Sequence, residues 1–429
     1  MPDVLNGITV IDVSQVAAVP MAARHLADFG ANVIHVEHPV RGDSWRTFQQ
    51  VGISDIPYLW ENYNRNKRSL GIDISKRGGQ QILYRLAKKA DVFLTNLRLW
   101  EREKYNLSYT EIKKTNPRIV YGSLTGYGKK GPDKDNPAYD ANSYWSRSGL
   151  QYLLTTPGLS PPAFRGAFGD NVSGLGLAFG IMLALYHRDR TGVGQEVDIS
   201  LMQMGVYQMT FDMGGAVVAG SEFEQKMFRR LEETEEMVAE RERLMKESKN
   251  AMSHLQEYYH KHAPNPIAVP YDTRDGRTIS LVAAHADRNW LAVCRAIDRP
   301  DLIEDERFIS IEQRKKHKVE LYYILKEAFA RRDLADWKDR LNSIPCSVVQ
   351  KPSEVLEDQQ AVANSFFTVT SHPTHGPITV IANPIILNET PAKMRIPAPE
   401  VGQHTEEILL EIGYNWEDIS QLKDKGIIR

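Results

Sequence analysis

Cysteine is almost missing: the 429 residues contain two, Cys294 and Cys346, far apart and in neither a CxxC nor a metal-ligand spacing. That excludes a disulfide-built scaffold and a thiolate metal site, and the expectation is a reduced, cytoplasmic chain. An excess of one charge sign is missing as well. With 53 Lys and Arg against 55 Asp and Glu, the formal net charge of -2 gives no general attraction to nucleic acid or to an anionic membrane, and neither is expected as a partner. The opening MPDVLNGITVIDVS lacks the basic segment, apolar core and cleavage site of a secretory leader. The longest apolar stretch, Leu175 to Tyr186, is interrupted by Gly180. It falls short of the roughly 20 residues that cross a bilayer and reads as a buried helix.

Two further absences narrow the chemistry. A dinucleotide enzyme needs a GxGxxG turn after its first strand, and here that turn reads SQVAAVP. The glycines of SGLGLAFG fall inside a helical pattern instead, where they suit close packing. No nucleophile elbow accompanies His372 and His375, so a hydrolase triad is unsupported. His254, His260 and His262 have no carboxylate or cysteine at ligand spacing, and no metal is expected.

What is present is an alternation. ITVIDVS (8–14), NVIHVE (32–37), ADVFLTN (90–96), RIVYGSLTG (118–126) and QEVDIS (195–200) have the composition of buried strands. PMAARHLADFGA and RGGQQILYRLAKKA between them have helical spacing, the first with a proline suited to position N1. This is the rhythm of an α/β fold with a Rossmann-like open parallel sheet in a large domain whose first part is residues 1–220. NRNKRSL (64–70) suggests a local anion site ahead of a strand-like GIDIS.

After residue 220 the pattern changes. EFEQKMFRRLEETEEMVAERERLMKESKN (222–250) is a charged helix with opposite charges three or four apart, within a linker or arm at 221–262. A smaller α/β domain is expected over 263–335, with a hairpin turned at Asp275-Gly276. Residues 336–429 then return to the large domain, with strands in IPCSVVQ and HGPITVIANPIIL and a helix at HTEEILLEIGY.

One carboxylate needs a reason. Asp170 stands between Gly169 and a long apolar helix, where an acidic residue ordinarily caps the free N–H groups of the first turn. Asp140, before ANSYWSRSG, has the same ordinary reading. The residues alone leave cap and chemistry open for both.

Taken in order, LNGITVIDVSQVAAVPMAARHLADFGANVIHVEHPVRGDSWR, NRNKRSLGIDIS, ADVFLTN, NPRIVYGSLTGYGKKGP, PAYDANSYW, FGDNVSGLGLAFGIMLALYHRDRTGVGQEVDISL and IPCSVVQKPSEVLED resemble the family III coenzyme A transferases (CaiB/BaiF family). GYGKKGPDKDNPAYD and NPIAVPYDTRDGR are similar to members acting on 2-hydroxy or aryl acids. The resemblance implies a homodimer of interlocked subunits, acyl-CoA and small carboxylic acids as partners, and coenzyme A as substrate with no tightly bound cofactor. It implies Asp170 as nucleophile, Asp140 in an orienting role and Tyr139 near the acyl group. CoA contacts carry over to Ala17, Ala18, His38, Arg41, Ile72, Asp73, Ile74, Ser75, Asn96, Leu97, Arg98, Lys104, Pro137, Ala138 and Tyr139. Two departures stand out: Ala17 occupies a place where formyl-CoA transferase has glutamine, with Gln15 nearby, and the family's glycine-rich cover has no counterpart here. Tyr139 stands where racemases of the same fold have a histidine, which argues against racemisation. A non-catalytic acyl-CoA-binding protein is the other alternative.

Overall fold

The computed structural model describes residues 2–48, 55–155, 160–163, 166–220, 222, 235–247, 251–283 and 286–429. Six strands, β1 Thr9–Val13, β2 Asn32–Glu37, β3 Lys67–Gly71, β4 Val92–Thr95, β5 Val120–Thr125 and β6 Glu196–Ser200, form one sheet in the order β3-β2-β1-β4-β5-β6. Every neighbouring pair is parallel. Alternate residues feed opposite faces, as period 2 requires. Val10, Val33 and Val92 join a core under α1 (Ala18–Asp28) and α7 (Phe168–Thr191), while Ile11, Ile34 and Phe93 join a core with α3 (Arg77–Ala87) and α5 (Tyr109–Thr115). Burial on both faces explains why these strands read as continuous apolar runs.

β3 is the strand that hydropathy hides. Strand pairing covers Lys67 to Gly71 instead of the GIDIS run, and the cations of NRNKRSL are committed to carboxylates of the same chain. Arg65 pairs with Asp28 at 3.0 Å, fully buried Lys67 with Asp12 at 2.9 Å, and Arg68 with Glu407 and Glu411 at 2.7 and 2.8 Å. The anion site expected there is therefore not available. A charged segment can form a strand, here the edge strand of the sheet, when each charge finds a fixed partner.

The 24-residue α7 is long and apolar enough to cross a membrane by length and composition, a longer helix than the apolar stretch in the sequence suggested. It packs along α1, β5 and β6. The closest approach is at Gly174, where an added Cβ would lie 2.6 Å from the Ala18 carbonyl oxygen and 2.9 Å from Met21 Cβ. Gly180 likewise leaves room for Val197, 2.7 Å from where its Cβ would be.

The chain divides into two compact units, 1–213 with 359–429, and 214–358. The second holds a three-stranded antiparallel sheet of β7 (Pro270–Asp272), β8 (Thr278–Leu281) and β9 (Cys346–Val348), with the expected turn at Asp275-Gly276 and Gly276 at φ +72°. Because β9 pairs with β8, this unit continues past residue 335, where the sequence pattern ends it. Helices Glu235–Glu247 and Ala251–Lys261 pack together through Lys261 and Glu240 at 2.8 Å, and much of the charged stretch at 222–250 lies outside the described residues. In the first unit, β10 (Phe367–His372) and β11 (Gly376–Ile381) form a hairpin, followed by helices Thr405–Glu411 and Trp416–Asp424.

Candidate active site

The sheet order reverses between β1 and β4, so the loops leaving these strands diverge and open a crevice at their carboxyl ends, the usual ligand position in an open α/β sheet. Two cavities occupy it, of about 850 Å³ and about 330 Å³. They share Gln15, Leu97 and Glu101 as common wall. The larger cavity is lined by His38, Arg41, Ile72, Asp73, Ile74, Ser75 and Leu97 among the residues expected from the sequence. The smaller is lined by Ala17, Ala18, Asn96, Leu97, Arg98, Pro137, Ala138, Tyr139 and Asp170.

Lys104 lines neither cavity. It is exposed, with its ammonium 5.3 Å from the ring centre of Tyr105, a residue of the larger cavity's wall. Asn96 is in the wall, but its side chain is spent on the backbone of Gln15. Its Oδ1 accepts the Gln15 N–H at 3.0 Å and its Nδ2 donates to the Gln15 carbonyl at 2.7 Å.

Asp170 lies in the first turn of α7, one residue beyond Gly169. The cap of that helix is supplied from elsewhere in the chain. Asp140, buried at the start of a π-helical segment Asp140–Arg147, accepts the Gly169 N–H at 3.3 Å and also faces the N–H groups of Ala167 and Phe168. Those are the free donors an N-terminal cap satisfies. The cap expected of Asp170 is thus made by Asp140, whose own segment was expected to be the one it caps. Among the described residues no hydrogen bond to the Asp170 carboxylate occurs, and that group stands in the wall of the smaller cavity.

The residue pair Gly169-Asp170 has a steric reason. A Cβ at Gly169 would lie 2.2 Å from Cγ of Tyr144, whose ring covers the helix start. Ala167 precedes the helix in the left-handed region, φ +73°. Burial, and secondarily the charge of Asp140, pushes the Asp170 carboxyl up to about 7. Burial also lifts Asp140 to about 6 against the lowering effect of its backbone N–H donors. Tyr63, on α2 (Tyr58–Asn64), donates to Asn171 Oδ1 at 2.7 Å, and its phenol is raised by burial and then by the Asp170 charge.

Beneath the crevice lies a buried ionic network that the sequence did not announce. Asp12 Oδ2 meets Lys67 Nζ at 2.9 Å and His35 Nδ1 at 3.0 Å, while Ser14 donates to the other oxygen. Burial alone would raise Asp12, but Lys67 and His35 hold it well below the usual carboxylate range. Burial opposes a charge on His35, yet Asp12 carries it up to about 9, so the imidazole is protonated at neutral pH. Glu37 takes two hydrogen bonds from Arg46, at 2.7 and 2.8 Å, and Arg46 lies 3.6 Å over the Trp60 ring. Asp12, His35 and Glu37 lie toward the carboxyl ends of β1 and β2 while Lys67 opens β3, and only strand pairing unites them.

Sequence reasoning missed Glu101, Asp43 and Lys134 as cavity residues. Glu101 had a local signal. It lies three residues after Arg98 and accepts the Arg98 N–H at 3.0 Å, a helix-start spacing. Among the described residues, no group of three or more His, Cys, Asp or Glu is placed to hold a metal ion.

Comparison with known proteins agrees with this geometry. The CoA-transferase family III model matches residues 5–405. The (R)-2-hydroxy-4-methylpentanoate CoA-transferase of Clostridioides difficile is 31% identical, with 99% of each chain covered. The cinnamoyl-CoA:phenyllactate CoA-transferase of Clostridium sporogenes is 29% identical over 99% of this chain and 98% of its own. A solved structure from Mycobacterium tuberculosis superposes with a TM-score of 0.76 at 26% identity, covering 95% of this chain and 99% of that one. A sheet in this order, a crevice at its switch point and a match across nearly the whole length leave one conclusion: the chain belongs to the family III CoA-transferases.

Proposed function

We propose that the protein transfers CoA from an acyl-CoA to a free 2-hydroxy or aryl carboxylic acid, with Asp170 as the nucleophile. The observation that carries this reading is that Asp140 caps α7, which leaves the carboxylate of Asp170 uncommitted in a cavity wall. The acid class is supported by the relatives named for 2-hydroxy-4-methylpentanoate and phenyllactate.

A carboxylate oxygen of Asp170 attacks the thioester carbonyl, the C–S bond breaks, and a mixed anhydride and CoA thiolate result. The thiolate attacks Cγ of Asp170, the anhydride C–O bond breaks, and the donor acid leaves as its carboxylate. The acceptor carboxylate attacks the aspartyl-CoA thioester and expels the thiolate. Thiolate attack on the acceptor carbonyl of this second anhydride forms the new acyl-CoA and frees Asp170. No net proton is needed, because each acid enters or leaves as its anion. A carboxylate is the fitting nucleophile because its acyl derivatives match the substrates in energy. Tyr139 and the walls at Ala17, Ala18, Pro137 and Ala138 would enclose the acyl group and pantetheine, and the larger cavity the nucleotide. Exclusion of water protects both anhydrides from hydrolysis.

A second copy of the chain completes the proposal. Leu175, Phe179, Met182, Leu183 and Tyr186 form an exposed apolar stripe along α7, and Tyr207 and Phe211 are exposed in the helices that follow. Such a stripe suits a homodimer face.

The test is exchange between a mixed acyl-CoA pool and a pool of free acids in deuterated water, read by mass spectrometry with wild type and Asp170→Ala. New acyl-CoA species formed by wild type alone support the proposal and identify the acids. Deuterium at an α-carbon without exchange would replace it by racemisation, and an unchanged pool with CoA still bound would leave a binding protein.

A further inference from the structure

We propose that Asp43 is a positioning residue for the transfer, holding Val16 in the left-handed conformation that brings Ala17 and Ala18 into the wall of the Asp170 cavity. The inference rests on the reading of Asp170 as nucleophile. Val16 has φ +70°, a region that β-branched residues rarely occupy. Nothing in its own side chain favours this, and a glycine there would remove the strain. The conformation persists because neighbours impose it.

Asp43 Oδ1 accepts the Val16 N–H at 3.2 Å and the Trp45 N–H at 2.8 Å. Asp43 is fixed in turn. Its own N–H donates to Glu37 Oε2 at 2.9 Å, and Glu37 is held by Arg46 and by the Ser69 hydroxyl at 2.5 Å. The second carboxylate oxygen faces Nε2 of buried His35 at 3.5 Å, a long ionic contact. His35 is anchored through Asp12 to Lys67. The residue before it, Gln15, is gripped at its N–H and carbonyl by the Asn96 side chain. The peptide that enters Val16 is therefore fixed at both of its polar ends, the carbonyl by Asn96 and the N–H by Asp43.

The location gives this strap a consequence. Asp43 lines the larger cavity and Val16 the smaller one, so one hydrogen bond links the two walls. Val16 and Ala167, the left-handed residue that precedes the Asp170 helix, pack against the same buried cluster of Ala17, Met21, Trp45, Trp60 and Tyr63. Relaxation of Val16 to negative φ would swing Ala17 and Ala18 relative to Asp170 while leaving the β2 and β3 loops of the larger cavity in place.

The test is a double-mutant cycle with Asp43→Ala, Val16→Gly and the pair, after wild-type transfer has been established. Asp43→Ala should lower kcat about 100-fold, the cost of misplacing a reacting wall by about 1 Å, without raising the Kd for free CoA measured by calorimetry. Val16→Gly alone should cost no more than about threefold, and in the Asp43→Ala background it should restore kcat at least about tenfold, because glycine adopts positive φ unaided. Absence of that rescue, or a CoA Kd rising as far as kcat falls, overturns the proposal and makes Asp43 a nucleotide-pocket residue. If the alanine variant does not fold, the same cycle is run on Asp43→Asn, which keeps an oxygen for Val16 but loses the charge facing His35. A smaller loss is expected there, recovered in proportion by Val16→Gly, and a loss that Val16→Gly does not recover counts against the proposal. A crystal structure of whichever variant folds gives a reading independent of turnover. Val16 should move to negative φ in Asp43→Ala, and its persistence at positive φ refutes the positioning role even if Asp170 proves not to be the nucleophile.

Discussion

Gly169→Ala tests how closely the start of α7 is machined around Asp170. The added Cβ would lie 2.2 Å from Tyr144 Cγ and 2.5 and 2.6 Å from the two neighbouring ring carbons. Ordinary carbon contacts need the two groups to part by about 1 Å or more. The ring cannot retreat freely: Tyr144 is buried, its centroid is 5.5 Å from that of Trp145 in an edge contact, and its carbonyl oxygen closes on Gly205. The helix start must therefore yield, and the displaced residue is Asp170. Overpacking of this kind costs about 1–3 kcal/mol of stability. A shift of about 1 Å at a reacting group costs about 100-fold in rate. The assay is kcat for CoA transfer beside thermal melting, with Tyr144→Ala added to Gly169→Ala to remove the ring together with its Cγ and Cδ atoms. Expected are a modest loss of melting temperature, a loss of kcat near two orders of magnitude, and partial recovery in the double variant. A Gly169→Ala enzyme within about threefold of wild type would refute the steric argument.

Because Asp170 must be ionised to attack and is pushed up to about 7, kcat/KM for acyl-CoA should fall about tenfold per pH unit below that value; an acid limb near pH 4 would contradict it. The same shift has a stability sign. A carboxyl whose folded value exceeds its ordinary 3.8 favours the fold when protonated, and that contribution is lost as pH rises through about 7. Asp170→Asn, neutral throughout, should therefore melt higher than wild type at pH 8 and not at pH 4, as calorimetry would read. Lys67→Ala removes one of the two cations paired with the fully buried Asp12 carboxylate and leaves His35 as its remaining cation; it should destabilise by about 3 kcal/mol in urea unfolding, and a loss under about 1 kcal/mol would mean water reaches the network. Phe179→Asp with Phe211→Asp should yield monomers by light scattering if the exposed stripe joins two copies.

Much of the architecture was legible in the sequence, for reasons that are local. Five of the six sheet strands announced themselves in the sequence: β1, β2, β4 and β5 as runs buried on both faces that see no alternation, and the edge strand β6 by Val197 and Ile199 alternating with polar residues. The Gly169-Asp170 pair and the long helix after it were equally plain, as were the loop residues at 17–18, 72–75, 96–98 and 137–139, all of which reach the crevice. Composition also determined what the chain lacks: a glycine-rich dinucleotide turn and a cysteine framework. What stayed hidden depends on partners far away in sequence. β3 carries Lys67 and Arg68, and its strand character exists only because Asp12, Glu407 and Glu411 neutralise it across the fold. Asn96 and Lys104 were expected to meet the ligand, but a backbone 81 residues away claims the first side chain and solvent the second. Whether Asp170 caps its helix could not be decided locally, since an acidic residue in the first turn suits either role. Tertiary structure decided it by bringing Asp140, 29 residues before Gly169, onto the free N–H groups. Hydrogen-bond donors are satisfied by the nearest fixed acceptor in space, and sequence order does not say which acceptor that is.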